Sequence, residues 1–284
     1  MLTTTIRPAS QLKRHKISQL SLLYVGLVIS IFSLVSAPAN AQKSEKTNEV
    51  VPLKIAVAAN FSHALKQISQ QFHQQTGIPV SITVGATGGL YQQIRHGAPY
   101  DVFLAANAQH PKLLQQHKLV LEHSLKPYAI GQLAFFATDK AFTWQNLPTT
   151  YHQFTKFSIA NPTHAPYGKA AKQLLKNINM WSALTPKLVQ GNNVAQSYQF
   201  IRAQAASAGL VANSFLIEHQ QEITANVVPQ HLYDPIDQYM LILKTSKVPE
   251  SAKAFQQFLL SEPIQEKISK MGYYPVNHLL KSNP

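Results

Sequence analysis

The run Leu53-Lys54-Ile55-Ala56-Val57-Ala58-Ala59 is apolar at nearly every position, and the apolar residues that follow, Phe61, Ala64, Leu65, Ile68 and Phe72, recur at helical spacing. This switch from an unbroken apolar strand to a 3.6-residue period constrains the chain more than any other feature. A strand with no polar alternation is buried on both faces, so helices must cover both sides of its sheet. Asn60 stands at the junction, in a position that favours helix capping. The pattern then repeats. Residues 79–84 read as a second strand, Leu90, Tyr91 and Ile94 as a helix closed by Gly97, residues 100–105 as a third strand and 111–117 as its helix. Strand and helix in this rhythm predict an α/β fold built on parallel sheet.

The rhythm continues through strands at 132–137, 157–160, 188–189, 209–211, 223–228 and 239–243, with helices over 168–178, 194–206, 251–260 and 263–270. So many units exceed one comfortable sheet, and two lobes are expected. Residues 128–132 read as the first crossover and 234–238 as the return. Lobe 1 is therefore predicted from 53–130 and 236–284, and lobe 2 from 131–235.

Ahead of this fold, Lys13, Arg14 and Lys16 precede an apolar stretch over about residues 20–35 and then Ala39-Asn40-Ala41, the layout of a secretory signal peptide. Residues 1–41 are expected to be removed by cleavage after Ala41, leaving a flexible polar segment at 42–52. No cysteine occurs among the 284 residues, so neither disulfides nor a thiolate metal site can form. Loss of the four basic leader residues takes the formal charge from +13 to +9. The lysines are dispersed and form no basic block, which argues against a nucleic-acid stripe. It leaves either a plain solvated surface or a positive field that steers small anions.

Four predicted strand-to-helix turns carry unusual residues: Ala58-Ala59-Asn60-Phe61-Ser62, Gly85-Ala86-Thr87-Gly88-Gly89, the segment 161–168, and Gly191-Asn192-Asn193-Val194. Singly, each is more often a helix cap or a tight turn. Together they place free N–H groups and positive helix ends at a common mouth, the place where open α/β sheets bind ligands. The second turn lacks the Gly-Lys-Ser/Thr of a phosphate loop and the spacing of a dinucleotide fingerprint. Neutral donors suit a fully ionised dianion, because a buried lysine or arginine would bring its own desolvation cost. Catalytic signals are poor. Asp234 and Asp237 are the one close acidic pair and read as a turn, the 12 histidines lack metal-ligand spacing, and no G-x-S-x-G elbow is present.

The segments at 54–61 and 85–90, and above all Ile94-Arg95-His96-Gly97-Ala98-Pro99-Tyr100-Asp101-Val102-Phe103, resemble the periplasmic molybdate-binding proteins. Residues 161–168, 184–189 and 209–211 extend the likeness over the second lobe, so that it runs from about Leu53 to Val276. The resemblance implies a type II periplasmic-binding-protein fold, with two α/β sandwich lobes, a hinge and a ligand cleft between them. It implies a binding protein in the periplasm rather than an enzyme, with molybdate or tungstate as ligand, no cofactor, a membrane permease of an ABC importer as partner, no nucleic acid and a monomeric state. It also implies the ligand set: Asn60 through its side-chain amide and backbone N–H, Thr87 through its hydroxyl, Tyr167 and Val194 through backbone N–H groups, with Ala59 and Gly88 as further backbone donors. Some relatives add a tyrosine hydroxyl where this chain has Ala212, with Asn213 and Ser214 as doubtful substitutes. Another tetrahedral oxyanion such as sulfate or phosphate, an exported phosphate-ester enzyme, and a sensor domain remain open as alternatives.

Overall fold

The computed structural model describes residues 51–220 and 226–276. The leader, its cleavage site and most of the 42–52 segment lie outside the described residues, as do residues 223–225 of the strand expected at 223–228, whose described remainder makes only an isolated bridge from Val227 to Ala134. In chain order, strands β1 (Leu53–Ala58), β2 (Val80–Gly85) and β3 (Val102–Ala105) alternate with helices α1 (Ser62–Thr76), α2 (Thr87–Arg95) and α3 (Gln109–Gln116), and β4 (Lys126–Gly131) follows. Next come β5 (Leu133–Ala137), the short α4 (Leu147–Thr150), β6 (Phe157–Ala160), α5 (Pro166–Asn177), the short α6 (Trp181–Leu184), β7 (Leu188–Gly191), α7 (Val194–Arg202), β8 (Ala208–Ala212) and α8 (Asn213–Glu218). The chain then runs through β9 (Ile236–Ile242), α9 (Pro249–Leu260), α10 (Glu262–Lys270) and β10 (Tyr273–Tyr274).

These strands form two sheets. One has six strands in the order β10-β4-β9-β3-β1-β2, the other four in the order β5-β8-β6-β7. Each sheet with its helices is one lobe. The central β1 shows why. Leu53, Ile55 and Val57 point into a core closed by Phe61, Leu65, Ile68 and Phe72 with Phe255 and Leu259 of α9. Ala56, between them, points into a second core with Phe103, Leu90, Ile94 and Leu114. Burying each large apolar side chain contributes on the order of 1.5–3 kcal/mol. A third core, including Phe135, Phe157, Ile159, Leu174, Leu175 and Leu210, fills the other lobe.

The sheets are mixed, not wholly parallel as the strand–helix rhythm predicted. β1 runs parallel to β2 and β3, but β9 is antiparallel to both β3 and β4, and β10 is antiparallel to β4. In the second sheet β6 is parallel to β7 and β8, whereas β5 is antiparallel to β8. The antiparallel strands are those at the passages between lobes: β4 leaves the six-stranded sheet and β9 returns to it, and β5 is the strand by which the chain enters the second sheet. Most of the segment read as a first crossover is in fact strand. Residues 126–131 pair with β9, with a bulge between Pro127 and Ala129, and Gln132 alone separates β4 from β5. Tyr128 is fully buried and packs edge-on against Phe61, with centroids 4.8 Å apart.

Candidate functional site

The carboxyl ends of β1, β2, β6 and β7 each lead into a helix, and the first turns of these four helices face one another. A 3-10 turn, Ala59–Phe61, leads into α1. Ala86 precedes α2, which begins at Thr87. Pro166 opens α5, where its missing N–H costs nothing. Asn193 caps α7, its side chain accepting from Gln196 N–H at 3.0 Å. The space they enclose is about 10 Å³, far below the roughly 300–1,000 Å³ of pockets for drug-sized ligands. Ala59, Asn60, Thr87, Tyr167, Asn193 and Val194 line it, and every other lining residue is uncharged as well. Side chains cap neither the Ala59–Phe61 turn nor α2 nor α5. The N–H groups of a first helical turn have no acceptor inside the helix, so such ends favour an anion.

The expected residues play different parts. Thr87 is fully buried, and its Oγ1 accepts a hydrogen bond from Ala106 N–H at 3.0 Å. That contact fixes the oxygen and leaves the hydroxyl proton to donate. The Asn60 side chain departs from expectation. Its Nδ2 donates to Gln238 Oε1 at 2.9 Å and to Tyr273 Oη at 3.3 Å, which occupies the amide hydrogens with protein partners. The Asn60 carbonyl accepts from Tyr273 O–H at 2.6 Å and from Ser214 O–H at 3.0 Å. Four hydrogen bonds thus set the orientation of this turn, and its backbone N–H is the group it has to offer. Gly88 departs further, since its N–H donates to the His164 carbonyl at 2.9 Å. Of the doubtful substitutes, Asn213 turns to Gln132, with Nδ2 donating to Gln132 Oε1 at 2.7 Å, while Ser214 serves the Asn60 carbonyl. Ala212 ends β8 and is fully buried away from the cavity lining.

Behind the cavity lies a group of buried polar side chains that sequence patterns did not single out: Tyr128, Gln238 and Tyr273, joined by the Tyr167 phenol. Burial first, then the neighbouring phenols, pushes the Tyr167 hydroxyl well above the ordinary tyrosine value, with the nearby Asn60 side chain opposing the shift. Burial likewise raises Tyr128 and Tyr273. These phenols stay neutral at any ordinary pH, so the cavity has no charge of its own. The Tyr167 ring reaches across to the end of β4. A Cβ added at Gly131 would lie 2.2 Å from Tyr167 Oη and 3.0 Å from Gln238 Nε2, so only glycine fits there. A glycine ending a strand was the one sequence signal available for this contact. Among the described residues no group of three or more His, Asp or Glu is placed to hold a metal ion. Nor, among them, is any helix long and apolar enough to cross a membrane.

Two α/β lobes meeting over a small cavity lined by helix N-termini define a solute-binding protein. The chain belongs to the family described as bacterial extracellular solute-binding protein, whose model matches residues 53–274. It is 36% identical over 218 residues to the molybdate-binding protein ModA of Rhodobacter capsulatus, covering 77% of this chain and 86% of that one. It is also 36% identical over 229 residues to ModA of Azotobacter vinelandii, covering 79% and 90%. The solved structure of the Azotobacter vinelandii periplasmic molybdate-binding protein superposes with a TM-score of 0.74 at 31% identity, covering 78% of this chain and 98% of that one.

Proposed function

We propose that this protein binds molybdate, and tungstate with it, between its two lobes and delivers the ion to the membrane permease of an ABC importer. The observation that carries the reading is the uncharged cavity at four converging helix N-termini. Such a site neutralises a fully ionised tetrahedral dianion with aligned dipoles and leaves no protein charge buried when the ion departs. The relatives named as molybdate-binding proteins support the choice of ion. Thr87 donates its hydroxyl, and Asn60, Tyr167 and Val194 donate backbone N–H groups, with Ala59 beside them. Asn60 and Thr87 belong to one lobe and Tyr167 and Val194 to the other, so the ion stabilises the closed arrangement selectively, which is what lets a ligand shift a hinge equilibrium. The protein works in the periplasm as a monomer, after cleavage at Ala41, without a cofactor and without nucleic acid. It carries out no catalysis. Isothermal titration with molybdate, tungstate, sulfate and phosphate tests the reading. Strong heats with the first two and weak or absent heats with the others are expected, and no binding of molybdate would overturn it.

A further inference from the structure

The bond from Gly88 N–H to the His164 carbonyl joins the two lobes directly. Gly88 is the second residue of α2, next to Thr87, and α2 packs in the six-stranded lobe. His164 precedes Ala165, Pro166 and Tyr167, which open α5 in the four-stranded lobe. The contact therefore lies immediately beside the cavity and connects the two segments that would grip an ion from opposite sides. It is a backbone-to-backbone contact. An added Cβ at Gly88 would meet His164 O at 3.0 Å and His164 Cα at 3.2 Å, so the neighbouring main chain would have to give by a few tenths of an ångström. Gly89, one position on, has nothing within 4 Å of the same added atom.

We propose that Gly88 is the stop that sets how far the lobes close, and that by fixing the gap between Thr87 and Tyr167 it determines which radius of tetrahedral oxyanion fits. The inference rests on the oxyanion reading of the cavity. Molybdate and sulfate present the same charge and the same kind of acceptor oxygen and differ in size, so the separation of the two donor sets is the property left to tell them apart. Hydrogen bonds weaken quickly beyond about 3.2 Å, so a few tenths of an ångström at the stop reach every bond that spans the gap. Nothing about the local fold requires glycine here. Gly88 lies inside a helix and does not have the positive φ of Gly77, Gly97 and Gly272, and alanine is the better helix former.

Gly88→Ala and Gly89→Ala separate the two roles, because both improve helix propensity and only the first meets His164. Titration of the wild type and both variants with molybdate, tungstate and sulfate, alongside thermal melts, makes the test. Gly88→Ala is expected to melt no lower than wild type, to lose roughly tenfold or more in molybdate affinity, and to show a larger molybdate-over-sulfate preference, because a wider gap leaves the smaller ion further from its donors. Gly89→Ala should stay within about twofold of wild type for every ion. A Gly88→Ala variant with wild-type affinities and preference would overturn the stop while leaving the oxyanion reading intact. So would equal losses in both variants. A wild-type protein that binds none of the three ions would overturn the reading and the stop together.

Discussion

Thr87 shows how a single side chain can serve the fold and the ligand at once. Its oxygen takes the Ala106 N–H, and its proton is left for the cavity. Thr87→Val removes both. The buried Ala106 N–H loses its acceptor, which costs about 1–3 kcal/mol of stability, and an ion loses a charge-assisted hydrogen bond of about 1.5–3 kcal/mol. Thr87→Ser keeps the hydroxyl and should largely restore both quantities. Chemical denaturation and titration on the three proteins check this, and a Thr87→Val protein with unchanged stability would break the assigned link to Ala106. The place of Thr87 at a strand-to-helix turn could be read from sequence, while its part toward a ligand came from the resemblance alone, because a threonine there is more often a plain helix cap. Its bond to Ala106 could not be read there, since the partners are 19 residues apart and only the pairing of β1 with both β2 and β3 brings them together. The same holds for Asn60, whose place at a strand end was visible while the partners of its amide, 178 and 213 residues away, were not.

Among the helices at the cavity, α7 is the one whose first turn is held by a side chain, that of Asn193. Its next residue, Val194, is proposed to offer a backbone N–H, so the cap positions a ligand group as well as the helix. Asn193→Ala should cost about 1 kcal/mol of stability, within the roughly 0.5–2 kcal/mol range for lost N-caps, and should weaken ion binding by a smaller amount as the turn frays. Urea denaturation and titration read the two effects, and an undiminished denaturation midpoint would show that the cap is idle. The strands and long helices were largely legible from periodicity, because their apolar faces are written locally. The elements that escaped are those whose reason lies elsewhere in the chain. β4 begins with Lys126 and Pro127 and reads as a connection until β9 pairs with it. β10 is two tyrosines long and exists because Tyr273 is needed under Asn60. Strand direction was also hidden, since a parallel and an antiparallel buried strand carry the same apolar run.

At the scale of the whole molecule, the cavity is neutral while the chain around it is basic, with 25 lysine and arginine residues against 12 acidic ones. The two facts belong to different steps of binding. Short-range dipoles at the helix ends hold the ion, and because they act inside a buried space, salt screens them little. The net positive field acts before contact, over distances of a Debye length, and salt screens it strongly. If dianion capture works this way, the association rate should fall severalfold as ionic strength rises from about 20 to about 500 mM, while the dissociation rate stays nearly constant. Stopped-flow mixing with molybdate, followed by intrinsic fluorescence, separates the two rates. An association rate indifferent to salt would reduce the surplus charge to a solvated surface. A dissociation rate that rose with salt would mean that exposed lysines, and not the enclosed dipoles, hold the ion in place.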